Sequence, residues 1–218
     1  MKIKYIAAVL IGIAGLGLQQ ARAVDVIDNT PFVSSLTFSN FEATGTYGTV
    51  TVTSLDVTTQ IATITFQANT AGGFFFVDGN IADVNLVGNS ATLVAGSVIT
   101  SPIAGQFSSV QYNQQVDGFG KFTVVLNDMD ASHQESTITF QVHNTSLTSW
   151  TSTALVLAFN SQGFDAAAHY IDNNIGAPNT GFTAEGSSGA HIPDGGTTVM
   201  LLGAALGALG MARRFIMS

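Results

Sequence analysis

The sequence predicts an all-β domain, an antiparallel β-sandwich or jelly roll, on three observations. Between residues 24 and 173 apolar residues recur at every second position, and the runs are rich in Val, Ile, Phe and Thr. Short clusters of Asp, Asn, Gly and Ser separate these runs. Alternation of this kind buries one face of a strand and wets the other, and the intervening clusters are turn chemistry.

In chain order, residues 32–38 open the series. Thr49-Val50-Thr51-Val52-Thr53 alternates Val with Thr, and Ala62-Thr63-Ile64-Thr65-Phe66-Gln67 keeps its apolar residues at even positions. Residues 73–77, 84–87, 91–99 and 107–112 are shorter strand segments, bounded by turns such as Asp78-Gly79-Asn80, Gly88-Asn89-Ser90 and Asp117-Gly118. Phe122-Thr123-Val124-Val125-Leu126 alternates with one slip, and Ile138-Thr139-Phe140-Gln141-Val142 alternates without one. Residues 154–159 are continuously apolar, which suits a central strand covered on both faces. No segment before the C-terminal tail sustains a 3.6 period, and no fixed repeat marks a solenoid or propeller. Residues 174–191, rich in Gly, Ser, Asn and Ala, read as a flexible linker.

Composition narrows the function. The chain has 218 residues, 9% of them charged, and no cysteine. A disulfide scaffold, a thiol nucleophile and a Cys-ligated metal are therefore excluded. Five of the six basic residues lie at the two ends. Between Val24 and Ile192 a single base, Lys121, faces 13 acids, a net charge of −12. Such a body repels phosphates, so nucleic acid is not a partner.

The N-terminus has the order of a secretory signal peptide over residues 1–23. Lys2 and Lys4 precede an apolar run from 6 to 18, and Ala21-Arg22-Ala23 supplies the small-x-small triplet that signal peptidase cuts. The C-terminus, residues 192–218, is ordered too. Ile192-Pro193-Asp194-Gly195-Gly196 is a turn-forming opening, residues 197–212 carry no charge, and Arg213-Arg214 follow. Sixteen helical residues reach about 24 Å, a short membrane span that Phe215, Ile216 and snorkelling arginines extend. The arginine pair belongs on the cytoplasmic side, which places the rest of the chain outside.

This tail resembles the PEP-CTERM family of sorting signals, in particular the variant that opens Val-Pro-Asp-Ser-Gly. The resemblance rests on Pro193, Asp194, Gly195 and Gly196, the apolar stretch, and Arg213 with Arg214. Ile192 stands where the variant has Val, and Gly195 where it has Ser. The resemblance implies recognition by exosortase, a membrane cysteine protease-transpeptidase of Gram-negative bacteria that make extracellular polysaccharide. It further implies transient inner-membrane anchoring, then a place at the cell surface or outside the cell.

Motifs for chemistry are sparse. The loop Asn127-Asp128-Met129-Asp130-Ala131-Ser132-His133-Gln134-Glu135 offers Asp128, Asp130 and Glu135 as oxygen ligands for Ca²⁺, although His133 stands where an EF-hand needs Gly. A solvated hairpin loop is the competing reading. Asp165 and His169 are four apart, and one helical turn would join them as a dyad or a structural hydrogen bond. No nucleophile elbow, phosphate loop or dinucleotide fingerprint is present, so no catalytic residues are assigned and the chain is read as a non-enzyme. Trp150 is the one tryptophan available as a sugar platform; the ladders Thr49/Thr51/Thr53 and Thr63/Thr65 suit ordering of water or ice, against the ordinary preference of half-exposed strands for Thr. The expectation is an exported, exosortase-sorted protein with a structural or adhesive role at the surface or in the polysaccharide matrix. A carbohydrate-binding module is the alternative, and a Ca²⁺-dependent hydrolase the third reading.

Overall fold

The computed structural model describes residues 29–40, 45–104, 107–128, 133–175 and 180–185. The expected signal peptide, Asp130, much of the expected linker and the whole expected sorting tail lie outside the described residues. The described chain is mostly antiparallel β. Its strands are β1 (Phe32–Ser39), β2 (Gly48–Asp56), β3 (Ile61–Ala68), β4 (Phe74–Phe76), β5 (Gly79–Val84), β6 (Ala91–Leu93), β7 (Ile99–Ser101), β8 (Ser109–Val116), β9 (Gly120–Asp128), β10 (Thr137–Asn144), β11 (Ala166–Asp172) and β12 (Thr180–Glu185). Among these residues no helix is long and apolar enough to cross a membrane.

The strands form one hydrogen-bonded path, β6-β10-β3-β2-β1-β12-β11-β5-β9-β8, with β4 added beside β11 and β7 beside β10. The sequence predicts a sandwich; the strand order instead gives a single sheet curled into an almost closed barrel. At the seam, the Leu93 N–H of β6 donates to the Tyr112 hydroxyl of β8 at 3.1 Å, so the two ends of the path meet through a side chain. Alternation alone cannot separate these outcomes, because each gives every strand one buried face.

The alternating runs behave as their period requires. On β3, Ala62, Ile64 and Phe66 are fully buried, and on β10 Ile138, Phe140 and Val142 are too. Register places Ile138 opposite Phe66 and Phe140 opposite Ile64, and the Phe66 and Phe140 rings stack at 6.1 Å. Tyr47, Tyr170, Phe74, Phe76 and Trp150 fill the same interior. A second cluster, Val116, Phe119, Phe122, Val125, Ala167 and Ala184, gathers around Phe164 and Phe182. Phe164 seals it, meeting Phe119 edge-on at 5.0 Å and Phe38 at 5.9 Å.

Three local expectations are corrected. Residues 154–159 are not a central strand: they begin in a 3-10 turn, Thr153–Leu155, and continue as an irregular connection pairing with residues 85–87. Val87 N–H donates to Val156 at 2.9 Å and Ala158 N–H to Asn85 at 3.0 Å, so this run caps the core rather than crossing it. Strands covered on both faces are β11, where Ala166 joins the main core and Ala167 the second cluster, and β9, where Val124 joins the main core and Val125 the second, all at 0% exposure. Finally, β12 lies within the segment read as a linker and pairs with both β1 and β11. Its Thr-Gly-Phe-Thr-Ala-Glu sequence is short and unremarkable, and only its two partners make it a strand.

Candidate functional site

At one end of β5, β8 and β9 the ladder splays. Gly79 faces Asp128, Ser109 faces Asn127, and a register shift at Asn80/Ala82 bends β5 away from β9. Gly79 takes φ +69°, a left-handed value that favours glycine. The result is an open cleft of about 450 Å³ lined by Asp78, Gly79, Ser109, Gln111, Asn127 and Asp128. Its wall is hydroxyl, amide and carboxylate, with no aromatic ring.

Two histidines border the carboxylates. His169 Nδ1 lies 2.7 Å from the Asp78 carbonyl and 3.2 Å from Asp78 Oδ1, and its ring stacks on Phe182 at 4.7 Å. His133 Nδ1 stands 3.8 Å from Asp128 Oδ2. Glu135 forms an antiparallel bridge with Phe76, each N–H donating to the other's carbonyl at 2.8 Å. Only 1% of Glu135 is exposed, and burial pushes its carboxyl above the usual range while the neighbouring His133 opposes that rise. The loop singled out in the sequence thus brings Asp128, His133 and Glu135 within electrostatic reach. Asp130, the third expected Ca²⁺ ligand, lies outside the described residues. Among the described residues no group of three or more His, Asp or Glu side chains could hold a metal ion.

The Asp165–His169 pairing is corrected. His169 lies on β11 and Asp165 immediately precedes that strand, where four extended residues span about 13 Å, so the helical turn that would join them does not form. His169 pairs instead with Asp78, 91 positions away. Trp150 is corrected as a sugar platform as well. It is fully buried, with its indole N–H donating to the Val87 carbonyl at 3.1 Å.

The threonine ladders, by contrast, combine into one surface. Register aligns Val33, Thr51, Thr65, Thr139 and Ile99 in one row across five strands, and Ser35, Thr49, Gln67, Thr137 and Ser101 in the next. Thr65 and Thr139 share a hydrogen bond at 3.0 Å, and the Thr137 hydroxyl donates to Gln67 Oε1 at 2.9 Å. These two rows contain no charged side chain. The one-strand alternation was legible in the sequence; the lateral alignment depends on register alone.

Comparison with known families finds residues 193–215 matching the VPDSG-CTERM motif, a C-terminal sorting signal of the PEP-CTERM/exosortase type. The match begins at Pro193 and includes Arg213 and Arg214. No curated protein and no solved structure matches the chain. The motif marks a protein exported and targeted to exosortase.

Proposed function

We propose that this barrel is a surface or extracellular-matrix domain with a structural or adhesive role, delivered by exosortase processing of its tail. The observation that carries the reading is the sorting motif at 193–215 on an acidic body. The two uncharged rows across β1, β2, β3, β10 and β7 suit contact with a neutral polymer, since hydroxyls and amides exchange hydrogen bonds with water for hydrogen bonds with polyols at little net cost. Processing is tested by tagging the barrel and following its mass and location with and without exosortase. The released protein is expected to lack residues 197–218, and deletion of Arg213 and Arg214 to abolish release. Release of the barrel with residues 197–218 still attached, in an exosortase-positive host, overturns the reading.

The cleft favours a second reading, carbohydrate binding. Ser109, Gln111 and Asn127 offer donors and acceptors to sugar hydroxyls, and the carboxylates of Asp78 and Asp128 exclude acidic polysaccharides by repulsion. Gln111→Ala with Ser109→Ala is expected to weaken binding of neutral oligosaccharides about tenfold, the value of one or two hydrogen bonds. Trp150→Ala would not discriminate, because that ring is in the core. An oligosaccharide array with no binding, or binding indifferent to the double substitution, removes the second reading.

A further inference from the structure

The cleft itself has no aromatic wall, but the same face of the sheet carries rings beside it. From the cleft the strands run β8, β9, β5, β11, β12, β1. Register carries one row across them, from Gln111 through Val125, Asp83, Ala167 and Ala184 to Phe38. Cross-strand partners share a face, so Phe38 and the cleft stand on the same side of the sheet. The middle of this row is closed, because Val125, Ala167 and Ala184 belong to the second cluster and Phe164 packs against it. The neighbouring row holds Phe182 opposite His169, both half-buried, and His169 reaches Asp78 at the rim of the cleft.

Local contacts fix these rings. Phe38 is 49% exposed, and Phe164 meets it at 5.9 Å and 66°. Phe182 stands two residues before Ala184, the partner of Phe38, and is therefore its diagonal neighbour. Its backbone is tied to Asn40 both ways: Phe182 N–H donates to Asn40 Oδ1 at 2.8 Å, and Asn40 N–H to the Phe182 carbonyl at 3.2 Å. The His169 ring stacks on Phe182 at 4.7 Å and 24°. The Asp78 carbonyl only accepts, so His169 Nδ1 carries the hydrogen of their 2.7 Å bond, which holds the imidazole in place. The outward rows of β2, β3 and β10 carry Thr and Gln instead of rings.

We propose that Phe38, Phe182 and His169 extend the cleft into one binding track for an extended neutral glycan. The rings take the C–H faces of successive sugars, and Ser109, Gln111 and Asn127 take hydroxyls. The proposal rests on the carbohydrate reading of the cleft and adds the platform that the buried Trp150 cannot supply. Chemistry selects the class. A phenyl ring has no polar edge, so it suits sugars whose hydroxyls are all equatorial and whose faces are C–H. A straight chain of such sugars, as in a cellulose-type glucan, suits a track that crosses the strands directly. Acidic chains are disfavoured: Asp78 and Asp128 repel them, and Lys121 is the one Lys or Arg on these six strands. Five strand steps from Phe38 to Gln111 amount to about 24 Å, so the track spans several sugars.

Calorimetric titration of the full mature chain with cellobiose and with cellohexaose tests it. The hexaose is expected to bind about tenfold more tightly than the disaccharide, the value of one or two ring contacts. Phe38→Ala should remove most of that gain and leave cellobiose binding unchanged. Half of this ring is already in solvent, so the variant should fold, which thermal unfolding checks. Phe38→Trp, a larger platform at the same place, should tighten hexaose binding about threefold. Equal affinity for the two sugars, or a folded Phe38→Ala protein that binds the hexaose like the wild type, overturns the track and leaves the cleft reading standing. Binding of neither sugar overturns the track, and the oligosaccharide array decides the cleft separately. Hexaose binding that needs Phe38 but ignores Gln111→Ala with Ser109→Ala would place the chain on the rings alone and overturn a continuous site.

Discussion

Trp150→Ala is expected to lower the unfolding free energy by about 3–5 kcal/mol, the range for deleting a large buried aromatic. The ring is fully buried in the main core. Its backbone is also clamped: Trp150 N–H donates to Gln60 Oε1 at 2.6 Å, and Gln60 Nε2 donates back to the Trp150 carbonyl at 3.0 Å. Asn144 Nδ2 shares the same Gln60 oxygen at 3.2 Å and donates to the Thr148 carbonyl at 2.7 Å. Truncation leaves a cavity and an unpaired Val87 carbonyl together. Domains are stable by roughly 5–15 kcal/mol, so the loss is a large share of the total. Urea unfolding should show a lower midpoint at nearly unchanged slope. A variant as stable as the wild type would show that the indole does not hold the core.

Asp83→Val is expected to raise stability by about 1–3 kcal/mol at neutral pH, because it removes a buried acid with no hydrogen-bond partner. Valine has one side-chain heavy atom fewer than aspartate, so it does not overpack the site, and its β-branch suits a strand. The sign of the pH dependence distinguishes this gain from a packing effect. Asp83 is raised on folding by desolvation, so its penalty grows as pH rises above the unfolded carboxylate value. The advantage of valine should accordingly be larger at pH 9 than at pH 5. Thermal unfolding of both proteins across that range measures it. A valine protein less stable than the wild type, or a gain independent of pH, would mean that Asp83 is not held as an unpaired acid.

Little of the candidate site could be read in advance, and particular residues show why. Asp128, His133 and Glu135 lie close in the chain, so their grouping was legible. The Asp78–His169 contact joins residues 91 apart through the alignment of β5 and β11, and no local pattern signals it. The strand that carries His169 was hidden because Ala-Ala-Ala has no alternation to read, although small side chains fit a strand covered on both faces. The reverse error at 154–159 has the same root. An apolar run reports burial, and a capping segment and a central strand are buried alike.

The sequence by itself determined the strand character of most of the body, the anionic charge, the exclusion of thiol chemistry and the sorting tail. Each of these depends on residues near one another in the chain, or on composition. Tertiary structure alone decided the single curled sheet in place of a sandwich, the recruitment of β12, the burial of Trp150 and the burial of Asp83. The physical reason is that a strand satisfies only half its needs locally: alternation fixes which face is buried, whereas partner and register are set by long-range pairing and by the volume the enclosed side chains must fill.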